Sequence, residues 1–406
     1  MPSNFAADWV LPIAGPPLPG GCVTVDGGFV VAVTARPPAD ATNLGRCALL
    51  PALVNAHTHL ELSYLRGRIP RAARFTDWVR PVLAARREAP NPETVTTAAE
   101  SAITEAWSSG TGLFGDVSNT LGAVPALRRS RLPARVFHEL LGFAVTDPDA
   151  RVAEARTRIA AAACDDDGDV RFSLAAHAPY SVAPALFDAI RRDADAHGGP
   201  TAVHLAESPE EVQLLADGSG AWRALLEGLG VWNEAWRPPA LSPVAYLQAR
   251  RFLNATTLMV HGVQCTRDDI ARVRDTGATL VACPRSNAFV GAGTPPLADF
   301  YTADVPVAFG TDSLASVEDL NLFGELAAAR RIAPAVPAAR LLESATATGA
   351  RALGFGAEYG TIEAGKRAAL IAVRVPDGVS DVEEYLVSGV DPADVTWVPA
   401  GTRAHA

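Results

Sequence analysis

Two histidines separated by one residue are the first sign of chemistry in this chain of 406 residues. His57 and His59 flank Thr58 at the end of a short apolar run, ALVNAH at 52–57. In a β-strand, residues i and i+2 point to the same face, so both imidazoles could project in one direction and share one metal ion. Such a pair also occurs as core or capping histidines, so further ligands are needed to define a metal site.

Other histidines and one aspartate also follow short apolar runs. They are His177, His204, His261 and Asp312. The chain has eight histidines, and five of them occupy such positions, which scattered core or surface histidines would not be expected to do. Of the other three, His138 is predicted to lie in the core or just behind the site. His197 and His405 are predicted to be exposed.

The elements that must position these residues are repeated strand–helix units. Between 50 and 357, short apolar runs alternate with longer amphipathic segments. Eight strands are predicted, at 52–57, 112–117, 134–139, 171–176, 201–205, 256–261, 278–283 and 305–310. Eight parallel strands, each followed by a helical stretch, define an α/β protein with a (β/α)8 TIM barrel. The strand-end residues would then meet at the carboxyl face of the barrel.

Helix caps predict two helices, and the composition of the remaining segments predicts two long insertions and a small second domain. Helices are predicted at 182–197 after a Ser181 cap and at 266–276 from Thr266 to Gly277. Long insertions at 60–92 and 208–250 are expected to form the rim of the site and to determine substrate choice. The ends, 1–49 and 358–406, are rich in Gly, Pro and Val. They are predicted to pair into one small β-sandwich domain beside the barrel domain, 50–357.

Composition restricts the partners and the compartment. The formal net charge is −10, which argues against nucleic acid or an anionic membrane as the main partner and favours a small-molecule substrate. The N-terminal stretch has no Lys or Arg before Arg36 and is broken by prolines, so a cytoplasmic protein is expected. The five cysteines are widely spaced and are predicted to be reduced thiols; they are Cys22, Cys47, Cys164, Cys265 and Cys283.

Five short motifs follow one another in a specific order. They are PALVNAHTHL at 51–60, HLAE at 204–207, HG at 261–262, CPRSN at 283–287 and GTDS at 310–313, with a closing GTIEAGKRAALIAV at 360–373. The set resembles the amidohydrolase superfamily, and specifically its cytosine-deaminase-like branch of adenosine, guanine and related heterocycle deaminases. The resemblance covers nearly the whole chain.

The resemblance implies one divalent metal ion, Zn²⁺ or Fe²⁺. Its implied ligands are His57, His59, His204 and Asp312. It also implies that Asp312 takes a proton from the attacking water, that His261 orients this water, and that Glu207 protonates a ring nitrogen. Binuclear members usually bridge their metals through a lysine on strand four, but the only lysine here is Lys366, so a single metal is favoured.

The substrate is suggested by three stretches of the same branch. HTHLELSYLRG at 57–67, HAPYS at 177–181 and HLAES at 204–208 look most like aminofutalosine (aminodeoxyfutalosine) deaminases of the alternative menaquinone pathway. These enzymes remove the 6-amino group of an adenosine-like nucleoside that bears a carboxyphenyl group. By this resemblance, Glu61 would hold ribose hydroxyls and His177 a ring or ribose atom. The candidates for binding the carboxylate are Arg66, Arg68, Arg74 and, best placed, Arg285.

Other interpretations remain open at this point. The same site could serve a 5-methylthioadenosine/S-adenosylhomocysteine deaminase, a guanine deaminase or a chlorohydrolase. A metal-stabilised barrel without catalysis is a third class, in which Glu207 would be an ordinary acidic residue at a helix start. The sequence leaves open whether the chain forms a homodimer.

Overall fold

The computed structural model describes residues 2–88, 90–163 and 169–399, and its centre is a sheet of eight parallel strands. Each strand pairs with the next one along the chain. The strands are Leu53–Thr58, Thr111–Ser118, Ala134–Leu140, Val170–Ala176, Thr201–Leu205, Thr257–His261, Thr279–Ala282 and Val307–Phe309. Helices connect them, so the predicted (β/α)8 barrel is confirmed.

The barrel closes where its eighth strand meets its first. Thr58 forms a bridge with Asp312, and Asn55 Nδ2 donates to Thr311 Oγ1 at 2.8 Å. Gly310 makes this approach possible, because a Cβ there would lie 2.6 Å from His57 Cβ. The close contact places Asp312 beside the two histidines of the first strand.

Fifteen α-helices lie in the described part of the chain. They are Phe75–Arg87, Pro92–Ser108, Val124–Ser130, Pro148–Ala162, Pro184–His197, Pro209–Asp217, Ala221–Gly228, Pro243–Ala249, Arg267–Thr276, Pro284–Phe289, Leu297–Thr302, Leu322–Ile332, Ala338–Glu343, Gly349–Ala352 and Val382–Val387. Two 3₁₀ segments, Leu60–Leu65 and Pro392–Asp394, and one π-helical segment, Ser344–Thr348, complete the helical structure.

The two capping predictions have different outcomes. Thr266 caps the helix Arg267–Thr276 in a capping box with Asp269, and Gly277 ends it with a φ of 74°. The prediction for Ser181 is wrong, because the helix Pro184–His197 begins after Ala183 and has no side-chain cap. Ser181 Oγ lies instead 2.6 Å from Nδ1 of His177, so its hydroxyl supports the site rather than the helix.

Both long insertions contain helices. The segment 60–92 carries the helix Phe75–Arg87, whose Trp78 Nε1 donates to Ala315 O at 3.0 Å. An apolar cluster that includes Leu62, Leu65 and Ala315 joins this insertion to the residues just after the eighth strand. The first insertion is thereby fastened across the barrel closure.

Two small sheets lie outside the barrel sheet. The four-stranded sheet contains Ser3–Ala6, Cys22–Asp26, Phe29–Thr34 and Thr42–Asn43. The five-stranded sheet contains Trp9–Val10, Leu18–Pro19, Cys47–Pro51, Leu370–Arg374 and Val395–Trp397. Leu370–Arg374 pairs antiparallel with Cys47–Pro51, which confirms that the two ends of the chain come together. Phe5, Val23 and Leu49 pack in one apolar cluster between the sheets.

The state of the cysteines and the apolar character of the helices complete the description of the fold. Cys22, Cys47, Cys265 and Cys283 are buried free thiols, as predicted, whereas Cys164 and His405 lie outside the described residues. Among the helices of the described ranges, none is both long and apolar enough to cross a membrane.

Candidate metal centre and active site

Three imidazoles meet at the carboxyl ends of barrel strands one and five. The rings of His57 and His59 have centroids 4.9 Å apart, and the ring of His204 is 4.9 Å from the first and 5.3 Å from the second. One ring nitrogen of each lies within 4.8 Å of the others, and Nε2 of His59 is 3.3 Å from Nε2 of His204. The predicted strand-end placement therefore brings all three histidines together.

The imidazoles of His59 and His204 are in the form that binds a metal ion. Burial lowers the pKa of His59 to about 3 and holds that of His204 well below its ordinary value, so both are neutral and carry a free lone pair. His57 is fully buried, and neither of its ring nitrogens has a hydrogen-bond partner among the described residues. Leaving such a group unsatisfied costs about 1–3 kcal/mol, and a cation bound between the rings would remove that cost. The donor set fits a divalent metal ion.

Asp312 supplies a carboxylate to the same place. Its Oδ1 lies 3.7 Å from His57 Nε2 and 3.6 Å from His59 Nε2, while its Oδ2 accepts from Ser286 Oγ at 2.6 Å and Ser316 Oγ at 3.1 Å. Burial alone would raise the pKa of Asp312, but the adjacent imidazoles hold it well below its ordinary value. The two serines thus aim one oxygen at the histidines. We call His57, His59, His204 and Asp312 the ligand cluster.

His261 and Glu207 form a second pair next to the ligand cluster. Nε2 of His261 lies 3.3 Å from Oε1 of Glu207, and its Nδ1 lies 2.8 Å from Oδ1 of Asn287. An amide oxygen only accepts, so Nδ1 carries the ring proton and Nε2 is free to accept one. Burial, with the charge of Asp312, raises the pKa of Glu207 well above its ordinary value. The raised pKa favours the protonated form of Glu207, which can act as an acid.

The backbone at this pair and at the ligand cluster adopts an unusual conformation. Ala206, His261 and Asp312 have φ values of 52°, 78° and 63°, in the left-handed region that non-glycine residues avoid. Each such residue costs about 1–3 kcal/mol, and residues of this kind concentrate at functional sites. These strained residues therefore lie at the ends of strands five, six and eight, where the backbone positions the side chains of the site.

Two residues that the sequence analysis missed lie behind His204. Its Nδ1 is 3.0 Å from the carbonyl of His177 and 3.3 Å from Oε1 of Glu139, and Oε2 of Glu139 accepts from Asn119 Nδ2 at 2.7 Å. Such contacts fix the orientation of a ligating imidazole. On this strand the sequence draws attention to the neighbouring His138 instead. His138 is buried, and its Nδ1 lies 3.1 Å from Ser118 O, as is typical of a core histidine.

Of the predicted substrate-binding residues, His177 lies beside the ligand cluster and Glu61 is engaged elsewhere. The His177 ring centroid is 5.1 Å from that of His204. The buried carboxylate of Glu61 accepts from Ser118 Oγ at 2.6 Å and from the backbone amides of Asn119 and Thr120 at 2.9 and 3.0 Å. Burial would raise the pKa of Glu61, but these hydrogen bonds outweigh it and lower the pKa. Its role toward a ribose stays a prediction, since the carboxylate already fastens strand two.

Arg285 is paired with acidic groups of the protein. Its guanidinium lies 2.8 Å from Asp319 Oδ1 and 3.6 Å from Glu325 Oε1, and it donates to the carbonyl of Asn321 at 3.1 Å. A substrate carboxylate would meet two protein carboxylates there. The role of Arg285 in binding a substrate carboxylate stays a prediction, and its guanidinium already has acidic partners within the protein.

An aromatic group joins both insertions to the loop after strand four. The rings of Tyr180 and Trp222 stack at 3.8 Å, and Phe75 lies 6.4 Å from the first and 5.9 Å from the second. The ring centroid of Tyr180 also lies 5.6 Å from that of His177. These buried rings therefore place aromatic surface beside the site.

The fold and the ligand cluster together define a barrel enzyme with a metal centre at the carboxyl ends of its strands. The chain belongs to the amidohydrolase family, whose model matches residues 48–391. It is 32% identical over 356 residues to the aminodeoxyfutalosine deaminase of Deinococcus radiodurans, with 84% of this chain and 83% of that protein covered. It is 29% identical over 411 residues to a 5-methylthioadenosine/S-adenosylhomocysteine deaminase of Moorella thermoacetica, covering 96% and 90%.

A solved structure gives the same result for the fold. An adenosine deaminase from Xanthomonas campestris with bound zinc superposes with a TM-score of 0.81 at 29% identity. The match covers 98% of this chain and 91% of that one. The similarity therefore includes both the barrel and the terminal sheets.

Proposed function

We propose that this protein is a metal-dependent aminohydrolase that removes the 6-amino group of an adenosine-like nucleoside, with aminodeoxyfutalosine as its substrate. The proposal rests on one observation above all, the buried carboxyl group of Glu207, whose pKa is raised by burial and which lies 3.3 Å from His261 beside the ligand cluster. An acid next to a water-activating site is what hydrolysis of an aromatic amine requires, because the ring must be protonated before its carbon can be attacked.

The ligand cluster would hold one Zn²⁺ or Fe²⁺ ion. When bound, such an ion lowers the pKa of a coordinated water from 15.7 to about 7, which supplies a nucleophile at neutral pH. The set of three imidazoles and a carboxylate suits either metal. Zinc in the Xanthomonas enzyme supports the first.

The protons have a defined route among the side chains. Asp312 Oδ1, held ionised and facing the histidines, accepts the proton of the attacking water. Glu207 donates its proton to the ring nitrogen next to the reacting carbon, and His261 accepts a hydrogen bond through Nε2 to orient the water. The proton held by Asp312 then passes to the amino group, and the C–N bond breaks to release ammonia. The proton of the new hydroxyl returns to Glu207, so the ring keeps a 6-oxo group.

Deamination of 5-methylthioadenosine or S-adenosylhomocysteine is the second candidate. The similarity to the Moorella protein over 96% of this chain supports it. Aminodeoxyfutalosine is favoured by the Deinococcus relative and by the stretches around Glu61 and His177 that resemble those deaminases. The two candidates share the chemistry at the ligand cluster and differ in the group carried by the ribose.

The test is an ultraviolet assay of the metal-loaded protein with adenosine, 5-methylthioadenosine, S-adenosylhomocysteine and aminodeoxyfutalosine, with released ammonia measured in parallel. We expect 6-amino loss, with the highest kcat/KM for the last compound. Glu207→Gln should lower kcat by about a thousandfold with unchanged metal content, whereas Glu227→Gln, a surface control in the second insertion, should be fully active. Full activity of Glu207→Gln, or no loss of the amino group from any of the four compounds, would contradict the proposal.

A further inference from the structure

Arg86 connects the first insertion to the ligand cluster. It lies in the last turn of the helix Phe75–Arg87, and its Nη2 donates to Asn119 Oδ1 at 2.9 Å. Asn119 Nδ2 in turn donates to Glu139, whose other oxygen lies 3.3 Å from Nδ1 of His204. Two side chains therefore separate the guanidinium from a residue of the ligand cluster.

Arg86 differs in its pairing from five other arginines of the rim. Those five each have a carboxylate oxygen within 3.2 Å; they are Arg66, Arg68, Arg71, Arg74 and Arg285. The acidic neighbour of Arg86 is Glu61, at 3.9 Å, which is beyond hydrogen-bond distance. The carboxylate of Glu61 is already occupied by donors from Ser118 and the amides that follow it.

The guanidinium of Arg86 therefore retains donors for a ligand. Of its five N–H groups, one has a hydrogen-bond partner within 2–88, 90–163 and 169–399. The side chain is 32% exposed, so it is neither sealed in the core nor fully solvated. Its charge contributes to the lowered pKa values of His59 and His177, which agrees with its place beside the site. A partly buried cation with free planar donors suits a carboxylate bound through two hydrogen bonds.

We propose that Arg86 is the anion-binding residue of the substrate site and that it binds a carboxylate carried on the 5′ substituent of the nucleoside. This inference rests on the proposed function, because it names the part of the nucleoside that the first insertion recognises. Arg86 acts on binding and contacts no reacting atom. It takes the place that the sequence assigned to Arg285, whose charge is already neutralised by the protein.

The test measures binding, so it does not depend on turnover. Isothermal calorimetry compares two 6-oxo nucleosides, one with a free carboxylate on its 5′ substituent and one with the same group as its methyl ester. Arg86→Met should raise the Kd of the free carboxylate by about 10- to 100-fold and leave that of the ester within about twofold, because a charge-assisted hydrogen bond is lost only for the former. Arg86→Lys should recover part of the loss.

Arg87 provides the matched control, since it is the next residue of the same helix and is exposed. Arg87→Met should change neither Kd. Equal weakening of both ligands by Arg86→Met, or no weakening of either, would overturn the inference and show that Arg86 only supports Asn119.

The outcomes separate this inference from the proposed function. A wild-type protein that deaminates the 6-amino forms of the acid and of the ester with equal kcat/KM, and binds both 6-oxo products equally, keeps the proposed function and overturns the role of Arg86. A protein that deaminates neither nucleoside but binds the acid through Arg86 supports the anion site and overturns the proposed function. Binding of neither product overturns the inference.

Discussion

Two buried regions of this molecule differ in the polarity of their side chains. The cluster between the terminal sheets is apolar, with Phe5, Val23 and Leu49 at most 4% exposed. At the carboxyl ends of the barrel strands, the buried side chains include imidazoles and carboxylates, of which His57 and Glu139 each have a polar atom without a hydrogen-bond partner in the described ranges. Burying such groups destabilises a fold unless a ligand or metal ion compensates. The comparison indicates that the terminal cluster contributes stability and the strand ends contribute function.

The largest expected effect comes from removing His57. His57→Asn should remove an imidazole from the ligand cluster, so that bound metal per chain falls well below one and kcat/KM drops by about a thousandfold or more. Elemental analysis and the deamination assay measure the two effects. His197→Asn is the control, because His197 is exposed on the helix Pro184–His197. Full metal content in His57→Asn would contradict the assignment of the metal site to the strand ends.

Truncation of a side chain between the terminal sheets should lower stability and leave metal binding and activity unchanged. Leu49→Ala removes a fully buried side chain and should lower the free energy of unfolding by about 2–5 kcal/mol. Because Leu49 packs between the terminal sheets, kcat and metal content of the folded fraction should stay unchanged. Thermal denaturation and the deamination assay, both with metal present, provide the measurement. A large fall in kcat without loss of stability would mean that the two regions are not separable.

Glu139→Gln should give a smaller effect confined to the metal. The substitution keeps the shape of the side chain but replaces the carboxyl group that faces His204 Nδ1 with an amide, and contacts of this kind change metal affinity by about 10- to 100-fold. Competition with a chelating dye measures the affinity, and Glu227→Gln on the surface is the control. An unchanged affinity would restrict the role of Glu139 to packing.

The smallest effect is expected from a helix cap that belongs to neither region. Thr266→Ala removes the hydroxyl of the capping box with Asp269 and should cost about 1 kcal/mol of stability. Chemical denaturation measures the loss, and activity should be unaffected. A reduction in kcat would show that the helix Arg267–Thr276 also supports the site.

The sequence predicts the barrel and the strand-end residues because both are local signals. Apolar runs define each strand, and His57, His59, His204 and Asp312 each stand at or just past a strand end, so strand geometry alone directs them to one face. The roles of Glu139 and Arg86 depend on contacts that local patterns do not contain. Strand three is buried along its whole length, so no alternation distinguishes Glu139 from its neighbour.

Long-range pairing also determines what surrounds the arginines of the rim. Arg285 is expected to bind a substrate carboxylate because it ends strand seven, and in the structure acids 34 and 40 residues later in the chain lie against its guanidinium. Arg86 had no motif to mark it, and its position depends on the path of the first insertion across the barrel closure. Both cases concern side chains on loops, whose partners are set by tertiary structure.

The most direct test of the account is a metal titration of the chelated protein, with deamination of an adenosine-like nucleoside as the readout. The ligand cluster predicts that turnover is lost on chelation and rises in proportion to added Zn²⁺ or Fe²⁺ until one equivalent per chain is bound. Full turnover in the metal-free protein, or saturation only at two equivalents, would contradict a single metal held by His57, His59, His204 and Asp312.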